Sequence, residues 1–254
     1  VIKVIKLGGR VQSDPALVSA IAHLWKSEQG GVCVVHGGGD EISSLQRALG
    51  REPSFINGRR ITTDDDIELV RMVLSGTANK RLVASLSAAG VPAAGISGED
   101  GGLLSAEPID AGKFGKSGKP VAANARLIEA LLSSGFLPVI SPVGINRDSP
   151  EHEPLNVNGD DAAAMIAAVL NAELWLVSDV AGVLDQNRNL VATLDQTTTD
   201  SLVQEGTVNS GMHAKLEAGF SALASGASAV RIAGIDALTG KGDGTLLSLT
   251  PSMT

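Results

Sequence analysis

Aromatic side chains are scarce in this sequence, with four Phe, two Trp and no Tyr among 254 residues. A platform on which successive bases stack needs such rings, so a single-stranded nucleic acid is a poor partner. Basic charge is also in deficit: 20 Lys plus Arg stand against 28 Asp plus Glu, a formal charge of −8. Nucleic acid and anionic membrane both call for a net basic surface, and neither is expected to bind. A single cysteine, Cys33, excludes an internal disulfide framework and suits a reducing compartment. No apolar run approaches the roughly 18 residues of a membrane span. The longest, Ala162 to Leu170, stops at Asn171. The opening VIKVIKLGG has a strand pattern and lacks the cleavage region of a secretory signal, so a cytoplasmic location is expected.

Several chemical signatures are missing as well. A Walker A loop requires G-x-x-x-x-G-K-[ST], and the nearest match, Gly115-Lys116-Ser117, has Asp110 where the leading glycine belongs. No G-x-G-x-x-G follows the first strand pattern, and no G-x-S-x-G elbow occurs. His23, His36, His152, His213 and Cys33 show no metal-ligand spacing; these residues and both tryptophans read as structural or surface groups.

What is abundant is glycine, 30 residues, well above the usual ~7%. Around it, short apolar runs alternate with longer amphipathic ones. Val1–Leu7, Gly31–Val35, Val91–Ile96, Phe136–Ile140, Leu174–Val177 and Ala229–Ile232 read as buried strands, near-continuous in Val, Ile, Leu and Ala. Helical periodicity covers about 14–28, 40–49, 64–74, 77–89, 124–134, 160–170, 197–205 and 211–225, with start signals at Thr63-Asp64 and Asp160-Asp161. This alternation predicts an α/β protein, a three-layer α/β/α sandwich around a mainly parallel central sheet. Residues 99–122 and 143–156 break the rhythm and read as β-hairpins at the edge of that sheet. No linker divides the chain, so two lobes sharing one continuous sheet are expected.

Two glycine clusters fall at strand ends. Lys6-Leu7-Gly8-Gly9 closes the first strand and His36-Gly37-Gly38-Gly39 closes the second, just before a helix. Ligands of open α/β sheets bind outside the carboxyl ends of the strands. Glycine there lets backbone N–H groups approach an anion beside a helix N-terminus. Two such clusters, one with a lysine at the strand tip, point to anion binding.

Seven runs occur in order: IKLGG at 5–9, VHGGG at 35–39, NGRRIT at 57–62, GTANK at 76–80, LNVNGDDAA at 155–163, LVSDVAGVLD at 176–185 and SGMHAKL at 210–216. Together they resemble the amino-acid kinase family, and within it the branch acting on N-acetyl-L-glutamate. The length leaves no room for the regulatory domains of aspartokinases, and Asp40-Glu41-Ile42 lacks the histidine that isopentenyl phosphate kinases place there.

The resemblance implies an amino-acid kinase (carbamate kinase-like) fold over 1–254, with an acyl-amino-acid lobe at about 1–172 and a nucleotide lobe at about 173–254. It implies transfer of the ATP γ-phosphoryl group to the side-chain carboxylate of N-acetyl-L-glutamate, as in arginine biosynthesis, with Mg²⁺ on the phosphates and no protein metal cage. A carboxylate of pKa ~4.3 is already ionised at neutral pH and needs no general base. Catalysis then consists of positioning and charge neutralisation. By resemblance Lys6 touches the transferring phosphoryl, Lys215 the leaving side, and Asp160 orients both lysines; a helix N-cap would also account for Asp160. Arg60 is expected to anchor the substrate α-carboxylate by a bidentate pair, with Arg59 pointing the other way along the strand. Asn156 and Asn158 would hold the N-acetylamino group, although Asx turns explain them equally well. Gly38 and Gly39 would hold the substrate, while Gly8, Gly9 and Gly37 face the phosphates. ATP would lie along Asp179, Val180, Ala181, Gly182, Val183 and Leu184 and near Thr207, Val208 and Asn209. Lys113, Lys116 and Lys119 read as a solvated hairpin.

Two alternatives stay open, a kinase of carrier-protein-bound aminoadipate or glutamate and a non-catalytic sensor of the same fold. The charge of −8 favours a small free substrate, although Arg51, Arg59 and Arg60 could form a basic patch. Arginine-regulated members carry an added N-terminal helix. With the first strand beginning at or near Val1, a homodimer insensitive to free arginine is expected.

Overall fold

The computed structural model describes residues 1–250 other than Gln29 and Asn57, so the first residue of the NGRRIT run lies outside the described residues. The first half of the chain supplies β1 (Lys3–Leu7), α1 (Leu17–Ser27), β2 (Val32–His36), α2 (Gly39–Ala48), β3 (Phe55–Ile56), β4 (Arg59–Arg60), α3 (Asp64–Arg71), α4 (Asn79–Ala88), β5 (Ala93–Ser97), β6 (Leu104–Pro108), α5 (Ala111–Phe114) and β7 (Ser117–Ala123). The second half adds α6 (Arg126–Ser133), β8 (Leu137–Ser141), β9 (Val143–Asn146), β10 (Pro154–Val157), α7 (Gly159–Val169), β11 (Glu173–Val177), β12 (Thr193–Leu194), α8 (Gln196–Gln204), α9 (Ser210–Ala224), β13 (Ala229–Ala233) and β14 (Thr245–Leu247).

Eight strands form the central sheet in the order β12-β14-β13-β11-β1-β2-β8-β5. From β13 to β5 every pairing is parallel; β14 runs antiparallel to β13. The two very short strands β12 and β14 carry no periodicity long enough to read, and tertiary pairing alone makes them strands. Period-two alternation splits the apolar residues into two cores, one on each face. Val4, Cys33, Val35, Leu174 and Leu176 join the core that contains Ala163 and Ile166 of α7 and Leu216 of α9. Ile5, Leu7, Val34 and Val177 join the core that contains Ile21 of α1 and Leu86 of α4. This is the expected three-layer sandwich, and it decides the direction of two strand-end side chains. Lys6 shares the face of Val4, toward α7 and α9. His36 shares the face of Val34, toward α4.

The two irregular stretches are hairpins, but they do not extend the main sheet. β6 and β7 are antiparallel, as are β9 and β10; β6 then pairs with β9 and β7 with β10, both parallel, closing a four-stranded barrel. Leu104, Ala106, Leu155 and Val157 join the core shared by α7 and α9, while Val143 packs with Ile67, Val70 and Leu74. A closed barrel leaves no free edge, which satisfies every strand at once.

The helical stretch after Thr63 also differs from its sequence reading. Thr63 caps it, accepting from Asp66 N at 3.2 Å. The expected break near residues 75–76 is absent, because Met72–Ala78 winds as a π-helical segment joining α3 to α4. Such widened turns recur at functional sites. Here the segment brings Leu74 against Gly38, where an added Cβ would lie 2.7 Å from Leu74 Cδ2. A larger residue there would have to push Leu74 aside.

Candidate active site

The centre of the site is an ion-paired trio at the carboxyl end of β1. Asn158 caps α7, its Oδ1 accepting from Asp160 N at 2.8 Å and Asp161 N at 3.4 Å. Asn158, not Asp160, is therefore the N-cap, because an Asn side chain one step before the first turn reaches those N–H groups. Asp160 is left with its carboxylate free to turn inward, 2.8 Å from Lys6 Nζ. Lys215 Nζ approaches the same carboxylate at 3.1 and 3.2 Å from α9. Asn209 caps α9, accepting from Met212 N at 2.8 Å, and so sets the turn on which Lys215 rides.

All three groups are largely buried. Burial alone would raise the Asp160 pKa, but the charges of Lys6 and Lys215 overcome it and hold the carboxyl below its ordinary range. Burial pushes the Lys215 ammonium down, the neighbouring Lys6 adds to that, and Asp160 opposes both. Two ammoniums against one carboxylate leave a positive excess in a poorly solvated site. A transferring phosphoryl group would satisfy it.

Two cavities meet at Lys6 of this trio. The larger, about 710 Å³, is bounded by Gly8, Asp160, Ser178, Asp179, Val180 and Asn209, with Lys215 at its base. The smaller, about 540 Å³, is bounded by Gly38, Gly39, Arg60, Leu74 and Asn156, together with Phe55. Lys6, Gly9, Arg10, Arg59, Asn158 and Gly211 line both.

In the smaller cavity the polar groups are already fixed. The Arg60 guanidinium donates to Gly39 O at 2.7 Å and Ser43 Oγ at 2.8 Å, reaches Gln46 Oε1, and lies 4.7 Å from the centre of the Phe55 ring. Its Nη2 group is thus spent within the protein, and the expected end-on fork to a carboxylate is partly filled; Nε and the second Nη1 hydrogen remain for a ligand. Asn156 donates to Thr62 Oγ1 at 2.9 Å, and Ser117 bonds both Thr62 Oγ1, at 3.0 Å, and Arg60 O, at 2.6 Å. Arg59 corrects the sequence expectation. It does leave the opposite side of β4, but both sides of this two-residue strand border the cleft, and Arg59 reaches Asp161 at 2.8 Å across it.

The strand-end glycines divide unevenly. Gly8 N–H is spent on Val177 O at 3.0 Å, so it offers no donor to a phosphate. Gly37 borders the smaller cavity, not the larger. Along the loop after β11, Asp179 and Val180 face the larger cavity, but Ala181, Gly182, Val183 and Leu184 do not line it. Val183 is buried and its N–H is held by Thr245 Oγ1 at 2.8 Å, while Gly182 packs where a Cβ would meet Leu190 Cδ1 at 2.5 Å. Thr207 and Val208 also lie off the cavity wall, leaving Asn209. Lys119 lines the larger cavity, whereas Lys113 pairs with Asp110 and Lys116 with Glu153. Burial pushes the Cys33 thiol up to about 12, which leaves it inert.

Arg10 was missed by sequence reading although it directly follows the IKLGG run. It lines both cavities and pairs with Asp179 at 3.2 Å. Thr62 and Ser117 were missed because their role, holding Asn156 and the β4 backbone, exists only after distant segments meet.

The sequence model of the Amino acid kinase family matches residues 2–234. The chain belongs to the amino acid kinase family. Among curated relatives, it is 42% identical over 224 residues to the acetylglutamate kinase of Geobacillus kaustophilus, covering 87% of this chain and 84% of that one. It is 35% identical to the acetylglutamate kinase of Novosphingobium aromaticivorans, covering 96% of this chain and 89% of the relative. Among solved structures it is similar to smu.665 of Streptococcus mutans, with 28% identity and a TM-score of 0.84 over 98% of this chain and 99% of that one. The carbamate kinase of Giardia, at 16% identity and a TM-score of 0.67 over 97% of this chain and 98% of that one, shares the fold. The amino acid kinase fold is thus the architecture that joins the two cavities at one sheet end.

Proposed function

We propose that this amino acid kinase transfers the γ-phosphoryl group of MgATP to the side-chain carboxylate of N-acetyl-L-glutamate, forming an acyl phosphate in arginine biosynthesis. The observation that carries this reading is the meeting of the two cavities at Lys6, which shares the Asp160 carboxylate with Lys215. The similarity to acetylglutamate kinases over most of the chain supports the choice of substrate.

The smaller cavity receives the acyl amino acid. Arg60 and the N–H groups of the Gly38-Gly39 loop hold its charge, and Asn156 and Asn158 take its amide. The carboxylate nucleophile enters already ionised, so the chain must neutralise repulsion between two anions. Lys6 does so on the incoming side and Lys215 on the leaving side; Asp160 keeps the two ammoniums at fixed separation. The nucleotide lies in the larger cavity. Aliphatic groups there, Val180, Met212, Ala214 and Ala218, offer an apolar wall for the adenine. Among the described residues no cluster of His, Cys, Asp and Glu is built to hold a metal ion. Mg²⁺ bound to ATP would supply further charge neutralisation on the phosphates. The acyl-amino-acid lobe spans about 1–172 and the nucleotide lobe about 173–254.

A free substrate is favoured over a carrier-bound one because the basic patch that Arg51, Arg59 and Arg60 could form does not survive folding. Arg51 pairs with Asp65 and Asp66, Arg59 with Asp161, and Arg60 is buried. The enzyme acts in the cytoplasm as a homodimer; exposed Met72, where α3 passes into the π-helical segment, offers an apolar contact for pairing. Hydroxylamine trapping tests the reaction: hydroxamate should form with N-acetyl-L-glutamate and not with free glutamate or aspartate. Absence of hydroxamate with N-acetyl-L-glutamate, alongside ATP turnover on another acceptor or a loaded carrier, overturns it. Light scattering tests the dimer.

A further inference from the structure

The Gly37-Gly38-Gly39 loop has all three of its carbonyls turned into the protein. Gly37 O lies 2.8 Å from His36 Nδ1, Gly38 O accepts from Ile42 N at 3.0 Å, and Gly39 O accepts from Arg60 Nη2 at 2.7 Å. In a trans peptide the C=O of one residue and the N–H of the next point to opposite sides. No described peptide is cis. The N–H groups of Gly38, Gly39 and Asp40 are therefore aimed away from those partners, and all three residues border the smaller cavity. No side chain caps α2, so nothing else claims those donors from within the loop.

Two of the three anchors are accounted for by the helix and by Arg60. The remaining one depends on a single buried ring. A carbonyl can only accept, so the His36 proton sits on Nδ1 and Nε2 keeps its lone pair. That lone pair faces Asn79 Nδ2 at 3.1 Å. Asn79 Nδ2 spends its other hydrogen on Val139 O at 2.9 Å, with Ile96 O further off at 3.3 Å, while its Oδ1 accepts from Lys80 Nζ at 3.1 Å. The amide cannot be turned over without setting its oxygen against two carbonyls. Both residues are fully buried, and burial pulls the His36 pKa down, which favours the neutral ring.

We propose that His36, its tautomer locked by Asn79, is a positioning residue that turns the Gly37–Gly38 peptide so that Gly38 N–H donates to the anions meeting in the smaller cavity. The inference rests on the carboxylate-kinase reading above.

The test uses the full chain with MgATP, N-acetyl-L-glutamate and hydroxylamine. An Asn amide nitrogen can stand where Nδ1 stands, whereas a Gln amide reaches only the Nε2 position. H36Q should lose about tenfold or more in kcat, since a misaimed donor approaches the cost of a missing one, with KM for ATP nearly unchanged. H36N should recover most of that loss. Equal impairment of H36N and H36Q, normal activity in both, or an equal shift in KM for ATP overturns the proposal. If neither variant folds, long-range ¹H–¹⁵N NMR of the wild-type ring decides, because His36 is the one fully buried histidine among His23, His36, His152 and His213. An Nδ1–H tautomer supports the assignment and an Nε2–H tautomer overturns it. Wild-type hydroxamate formation tests the functional reading alone. The ring tautomer, read without substrate, tests the peptide anchor whatever that outcome.

Discussion

The two cavities share a wall but are built differently. In the smaller one the polar side chains are buried and bonded to one another before any ligand arrives: Arg60 to Gly39, Ser43 and Gln46, Asn156 to Thr62, Thr62 to Ser117. In the larger one, Arg10 and Asp179 pair in the open, with side chains 83% and 51% exposed, and Lys119 is exposed at its rim. The contrast fits what each is proposed to recognise. A small acyl amino acid offers few atoms, so its donors must be fixed in advance if its carboxylate is to be aimed. A nucleotide offers a long polyanion, and mobile charges near its rim suffice. Preorganisation in this molecule is thus concentrated where the substrate is smallest.

That comparison can be broken by substitution. Lys6→Ala removes the buried charge common to both cavities and should produce the largest loss, about 10²–10³-fold in kcat with modest changes in either KM. A near-normal kcat in a hydroxamate assay would remove Lys6 from the chemistry. Arg60→Ala should come next, costing on the order of 2–5 kcal/mol in acyl-substrate binding while KM for ATP stays put. Its melting temperature should fall too, because Ser43, Gln46 and Gly39 O lose a buried partner. Arg59→Ala, lying on both walls, should raise both KM values several-fold and is no neutral control. An effect confined to the acyl substrate would place Arg59 in the smaller cavity alone.

Acid sharpens the comparison further. The folded-state pKa of Asp160 lies below its ordinary value near 3.9, despite the opposing effect of burial, because Lys6 and Lys215 face it. Its stabilisation is therefore fully present above about pH 4 and is lost as pH falls through the lower folded value. Urea midpoints at pH 6, 4 and 3 should show an acid decline in the wild type that is shallower in Asp160→Asn. Parallel declines would mean that other carboxylates dominate. The smallest effect belongs to Arg10→Ala at the open rim: the melting temperature should not move, and KM for ATP should change less than about threefold. A large change in kcat would instead make Arg10 a phosphoryl contact.

The trio of Lys6, Asp160 and Lys215 was implied only by resemblance to a family; by itself the sequence determined the layers, the central parallel strands and the two glycine loops at their carboxyl ends. Those features are local: apolar periodicity and glycine at a strand end act within a few residues of one another. Tertiary structure decided the rest. Asn158 caps α7 while the Asp160 carboxylate turns to lysines from β1 and α9. The hairpins closed on each other because β6 and β9, nearly forty residues apart, had edges to satisfy. Arg59 entered the cleft because its strand was too short to have an outside. Ala181 to Leu184 withdrew from the nucleotide side because Thr245 and Leu190, both later in the chain, claimed them. Each outcome depends on a partner distant in sequence, and a buried polar group must take the partner that folding delivers.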